Sequence, residues 1–200
     1  ETPATWPDNR VIEDFTFDDP SLAFGRLPEV TAVVEQLGGG QFAEADGWPL
    51  FTWPAPPGTE YVFPHTCHLD AYGDPWQPFM LGATAYLYDV AERGGGFGFW
   101  PGSHLSTHRH FVENPEQIDG RFRQRQGWSW AEFSDRSPEP ARQFTGKAGD
   151  VIFWHNFLVH GASINVRSEP RFGMFALFYH RQQEQIKGEI PEDLWKYWAI

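Results

Sequence analysis

Cysteine is almost missing from the 200-residue chain: Cys67 stands alone. No internal disulfide can hold the fold, which suits a reducing compartment and makes a cytoplasmic protein the expectation. Cations are scarce as well. Fifteen Lys and Arg face 27 Asp and Glu, for a net charge of −12. Phosphate backbones and anionic membrane surfaces are bound by clustered cations, so neither nucleic acid nor membrane is expected as a partner. A small anion stays open, because one buried arginine can hold it whatever the net charge. No apolar run approaches the roughly 18 residues of a membrane span. No charged leader with an apolar stretch and a cleavage site opens the sequence. There is no repeat of 20–50 residues, no low-complexity tract and no linker between two cores.

Aromatic residues and chain-turners are abundant instead. The chain holds 10 Trp and 18 Phe among 20 Gly and 17 Pro. Many aromatics between many turns predict short strands in a sandwich or barrel. The length predicts a single domain over 1–200. Residues 1–20 read as an extended arm. Pro28 to Leu37 reads as a helix, with Val30, Val33, Val34 and Leu37 at helical spacing before Gly38-Gly39-Gly40. Residues 41–64 read as turns and short strands. Strands are expected over Met80 to Val90, Val151 to Trp154, Phe157 to His160 and Arg171 to Tyr179. The polar stretch 113–146 reads as an excursion, partly helical, able to cover a site. Pro191, Leu194, Trp195 and Trp198 predict a C-terminal helix over 189–200. The fold class is mainly β, a jelly roll whose core spans 61–180.

Three features could carry chemistry. In His68-Leu69-Asp70, side chains two apart on a strand share a face, roughly 6.5–7 Å between Cα atoms, and can converge on one metal ion. Alone, the tripeptide reads first as a surface histidine beside a solvated acid. His160 ends the run from Gly149-Asp150 and enters Gly161. It has room to hold a metal at a cavity mouth, or it could be a rim histidine satisfied by a carbonyl. Arg171 leads an apolar strand. Pointing inward it requires an anion, and a carboxylate would suit it; pointing outward it is a solvated charge. Together, His68, Asp70 and His160 are the residue types of the two-His, one-carboxylate triad of non-heme Fe(II) oxygenases. That triad covers one face of octahedral iron and leaves positions for a 2-oxo acid and O2. Arg171 would then hold the far carboxylate of 2-oxoglutarate.

The stretch from about His65 to Phe178 resembles the phytanoyl-CoA dioxygenase family. The resemblance rests on His68-Leu69-Asp70, on Gly95 through Trp100-Pro101-Gly102-Ser103-His104, on Gly149-Asp150 to His160-Gly161, and on Asn165 and Arg171. It implies a double-stranded β-helix of cupin-like form with a few flanking helices. It implies Fe(II) on His68, Asp70 and His160, and 2-oxoglutarate on Arg171. Thr84 falls where the family often has a further 2-oxoglutarate contact. The family's cosubstrate-binding Ser two positions after the distal histidine is here Ala162, with Ser163 beside it.

Other histidines read differently. His104 is expected to order the turn beside the site. His108 and His110 alternate as metal ligands do, but a solvated loop accounts for them. Cys67 faces away from His68 on a regular strand. His155 could support the site or merely pack, and Tyr86 and Tyr88 could line the pocket or fill the barrel. The activity implied is hydroxylation of a small-molecule substrate with release of succinate and CO2. The rival readings are a cupin-like non-redox metal enzyme, an aromatic-rich sugar-binding sandwich, and a family member without turnover.

Overall fold

A computed structural model describes residues 22–70, 80–118, 134 and 136–200. The expected arm over 1–20 lies outside these, as does the part of the excursion between 119 and 133. Pro28–Gly38 forms helix α1. Proline suits its first turn, where the missing N–H would have no partner, and Val30 and Val34 are buried one turn apart. The helix ends at Gly39, whose N–H donates to the Glu35 carbonyl at 2.8 Å.

Among the described residues seven short strands follow: β1 Trp48–Thr52, β2 Leu81–Tyr86, β3 Phe97–Phe99, β4 Arg142–Phe144, β5 Val151–His155, β6 His160–Ala162 and β7 Arg171–Phe178. They form two antiparallel sheets, ordered β1-β7-β2-β5 and β4-β3-β6. This is the mainly-β jelly-roll architecture expected. Strand β1 belongs to the larger sheet, so the sheet core begins upstream of residue 61.

The register explains the packing. Alternate residues of the central strands face opposite ways. Leu81, Ala83 and Ala85 of β2, with Met174, Ala176 and Phe178 of β7, pack with Val30 and Val34 of α1. Phe175 and Leu177 pack inward with Phe97 and Trp154. Every residue of β2 is therefore buried, where alternation alone would suggest one wet face. Tyr86 ties the two sheets together: its hydroxyl accepts from Phe97 N–H at 2.9 Å and donates to the Phe144 carbonyl at 2.7 Å.

Several local expectations change. Ser103–Glu113 is an α-helix, α2, so His108 and His110 do not lie on a solvated loop. Residues 142–144, expected within the excursion, are strand β4 paired with β3. Strand β6 starts at His160 rather than Phe157, and Tyr88 lies beyond the end of β2, largely exposed. The C-terminal residues fold as turns; the short helix α3, Gln183–Ile186, precedes them. Trp195 and Trp198 nevertheless pack inward, both against His155. Among the described residues, no helix is long and apolar enough to cross a membrane.

Candidate active site

Two backbone hydrogen bonds bring the distant histidines together. His68 N–H donates to the His160 carbonyl at 2.8 Å, and His160 N–H donates back to His68 at 3.1 Å. Such a directly opposed pair sets Cα atoms about 5.5 Å apart with side chains on one face. The rings sit 4.5 Å apart, centre to centre. Asp70, two residues beyond His68, joins the same face. Its carboxylate oxygens lie 3.3 Å from His68 Nε2 and 3.5 Å from His160 Nε2. One donor atom from each residue lies within 4.8 Å of the others.

This approach depends on Gly161. A Cβ there would fall 2.2 Å from the Thr66 carbonyl oxygen, so any other residue would push the His68 segment away from β6. Ser103 secures the other side of His160. Its buried hydroxyl accepts from Val159 N–H at 2.9 Å, while Trp100 N–H donates to the Val159 carbonyl at 3.1 Å. In the Pro101-Gly102-Ser103-His104 stretch, the serine therefore orders the chain entering the site. His104 instead packs between His155 and Trp195.

The electrostatics call for a cation. His160 Nδ1 lies 2.9 Å from the Leu158 carbonyl, which can only accept, so Nδ1 carries the proton. In the neutral ring Nε2 is then the nitrogen with the free lone pair; in the protonated ring Nε2 instead donates to Asp70, 3.5 Å away. Such a hydrogen bond to a carbonyl is the arrangement that orients a metal-binding imidazole. Burial would raise the Asp70 pKa, but hydrogen bonds and charge from His160 and His68 outweigh it and hold the carboxyl well below its usual range. An ionised acid facing two imidazole nitrogens is a donor set that fits a divalent transition metal. Trp154 packs against His160 at a tilt, with ring centres 4.4 Å apart, and Phe97 stacks on it at 5.1 Å.

The three residues border a cavity of about 280 Å³, near the lower end for small-ligand sites, roughly 300 Å³. Its apolar walls include Trp48, Leu50, Phe97 and Phe175, and its polar groups include Thr52, Thr84 and Arg171. Arg171 is only 3% exposed. Its Nη2 donates to Thr52 Oγ1 at 2.7 Å, and its Nε has no partner. No carboxylate pairs with it among the described residues. Burial pushes its pKa down, countered by Tyr86, whose ring centre is 5.8 Å from the guanidinium carbon. A buried guanidinium without a counter-ion is costly unless an anion enters the cavity. Thr84 is fully buried, and its Oγ1 accepts from Trp154 Nε1 at 3.2 Å.

The structure thus gathers His68, Asp70, His160, Arg171 and Thr84 around one space. Ser163 is placed differently: it is buried outside the cavity lining, with its hydroxyl accepting from Gln143 Nε2. Its backbone is the reason, since Ala162 turns to the cavity and the next residue turns away. His155 faces the opposite side of the larger sheet, paired with Leu81 and stacked on Trp198. Burial drives its pKa well below the ordinary histidine value, so it is a packed neutral ring. His108 is buried with Nε2 donating to the Pro191 carbonyl at 2.7 Å, and His110 contacts Gln117 and Arg136. Cys67 packs toward Leu69, Trp100 and Phe111 in a separate apolar cluster. Thr52 and Trp154 are among the site residues that sequence reasoning missed. The only advance signal for Trp154 was its place in the apolar run leading to His160.

The model of the family described as "Phytanoyl-CoA dioxygenase (PhyH)" matches residues 9–173. The chain belongs to the phytanoyl-CoA dioxygenase family. The match starts far upstream of His65, so the N-terminal part also carries family character. No curated protein matches the sequence. Solved structures similar to this family member include the non-heme alpha-ketoglutarate-dependent epimerase SnoN from nogalamycin biosynthesis, at 23% identity and a TM-score of 0.52. That alignment covers 82% of this chain and 57% of SnoN. EvdMO1 aligns at 19% identity and a TM-score of 0.57, over 85% of this chain and 34% of its own. EctD from S. alaskensis, solved with 2-oxoglutarate and 5-hydroxyectoine, aligns at 20% identity and 0.52, over 77% of this chain and 50% of its own. These likenesses support the shared fold. The chain spans about a third to three-fifths of the length of these structures.

Proposed function

We propose that this phytanoyl-CoA dioxygenase family member is a single-domain Fe(II)- and 2-oxoglutarate-dependent oxygenase that hydroxylates a small-molecule substrate. One observation carries the reading: a buried Arg171, with no acidic partner among the described residues, shares one cavity with the converged His68, Asp70 and His160. A non-redox metal enzyme would need the triad and not the arginine. A sugar-binding sandwich would need neither.

Ferrous iron held there would supply the oxidation that couples 2-oxoglutarate, O2 and a substrate C–H bond to succinate, CO2 and an alcohol. The protein's own contribution is positional. His68, Asp70 and His160 would hold the ion at the wall of the cavity. The Leu158 carbonyl keeps the His160 proton on Nδ1, so Nε2 is free to ligate. Arg171 receives the distal carboxylate of the cosubstrate, and Thr84 adds a hydroxyl on the neighbouring strand. The aromatic walls restrict water around the reacting atoms.

The test is anaerobic addition of Fe(II) and then 2-oxoglutarate. A weak visible charge-transfer band that appears only with both present is expected, followed by succinate release in air with a suitable substrate. Iron uptake without the band would leave a metal protein of another kind and end the oxygenase reading.

A further inference from the structure

We propose that Thr52 is a positioning and specificity residue that aims Arg171 and makes the cavity prefer a 2-oxo acid carrying a second carboxylate. The proposal rests on the oxygenase reading above and deepens it. Nothing in the sequence pointed to Thr52.

Thr52 and Arg171 are directly opposed in the β1–β7 register, and both face the cavity. Arg171 Nη2 donates to Thr52 Oγ1 at 2.7 Å, and among the described residues Tyr86 is the other side chain that interacts with the guanidinium. A guanidinium has five donors in a rigid fork. Fixing one of them against a buried hydroxyl sets the plane in which the others can meet a carboxylate.

The hydroxyl also has a defined polarity. Guanidinium can only donate, so Thr52 Oγ1 accepts there and its own proton must go elsewhere. No acceptor for that proton occurs among the described residues, and Thr52 lines the cavity. Thr84 repeats the pattern. Its oxygen accepts from Trp154 Nε1, leaving its proton to donate. This part of the cavity therefore offers donors from a guanidinium and two hydroxyls, which matches a carboxylate and mismatches a neutral chain end.

Thr52 is itself held. Asn165 Nδ2 donates to the Thr52 carbonyl at 3.2 Å and to the Glu169 carbonyl at 2.8 Å, and its Oδ1 accepts from Arg167 N–H at 3.0 Å. The loop before β7 thus fixes the β1 residue that fixes the first residue of β7. A hydroxyl restrained in this way costs a ligand little further ordering.

The experiment measures equilibrium binding of 2-oxoglutarate and of 2-oxobutyrate, which lacks the second carboxylate, to the Mn(II)-loaded full chain. Thr52→Val keeps the branched shape and removes the hydroxyl, while Thr52→Ser keeps the hydroxyl. The expected result is a roughly tenfold weaker 2-oxoglutarate Kd in Thr52→Val, with 2-oxobutyrate and Mn(II) binding unchanged, and recovery to within about twofold in Thr52→Ser. Thr52→Val should add nothing further in an Arg171→Ala background, since the hydroxyl acts with the guanidinium. Should Thr52→Val fail to fold, Thr52→Ala against Thr52→Ser makes the same comparison. A hydroxyl-free variant that keeps the parent's preference for 2-oxoglutarate overturns the role of Thr52 and leaves the oxygenase reading standing. A parent protein that binds neither acid overturns both.

Discussion

Arg171 is the residue whose environment says most. It is 3% exposed, unpaired at Nε, and without an acid among the described residues. Arg171→Ala is expected to weaken 2-oxoglutarate binding by at least tenfold while Fe(II) uptake stays at the parent's level, as measured by calorimetry and metal analysis. Equal cosubstrate affinity in variant and parent would remove Arg171 from the site. The importance of these side chains was legible in sequence because their chemistry leaves few alternatives. Two histidines, an aspartate and a strand-leading arginine, in this order, have little structural use together. Hydroxyl residues carry no such signal. Thr52, Thr84, Ser103 and Ser163 are alike in type, and only register separates them. Thr52 and Thr84 face the cavity, while Ser103 and Ser163 are turned to backbone and Gln143.

Elements were legible where local signals and tertiary packing agree. Proline at the start, valines at helical spacing and a glycine stop mark α1. The same logic applied to Pro191 predicts a helix that does not form. The backbone there closes tighter turns, with Lys196 N–H to the Asp193 carbonyl at 3.2 Å and Trp198 N–H to the Trp195 carbonyl at 2.8 Å. Docking Trp195 and Trp198 on His155 outweighs helix propensity in so short a segment. Helix α2 was illegible because it starts at Gly102 with no side-chain cap, and its histidines alternate in the sequence. The C-terminal packing has a pH consequence. Burial lowers the His155 pKa well below its ordinary 6.5, and burial lowers His104 as well. Below about pH 6.5 the unfolded chain takes up protons that the native state refuses, so this stability is present above that pH and lost beneath it. The thermal midpoint should fall between pH 7.5 and 5.5, and less steeply in His155→Phe. An equal fall in both proteins would place the titrating groups elsewhere.

At the scale of the whole molecule, the fold brings together positions that lie far apart in the chain. His68 and His160 meet through a pair of backbone hydrogen bonds, and Thr52 meets Arg171 across β1 and β7. Folding and metal binding should therefore be linked. An ion at a hundredfold excess over its Kd adds about 2.7 kcal/mol, roughly 5–11 °C in Tm for a chain of this size. Mn(II) is expected to raise the melting temperature by that order, EDTA to reverse it, and Asp70→Ala to abolish the response. A rise that persists in Asp70→Ala would locate the stabilising ion away from the triad. The aromatic-rich β framework was legible from composition. The placement of β1 in the larger sheet was not, because pairing between residues 48–52 and 171–175 leaves no local trace.

Anomalous diffraction at the iron edge, from crystals soaked anaerobically with Fe(II), would locate the metal itself. One peak is expected within about 2.0–2.2 Å of His68 Nε2, His160 Nε2 and an Asp70 oxygen. A peak elsewhere, or none with the metal in excess, would contradict the triad as the metal site.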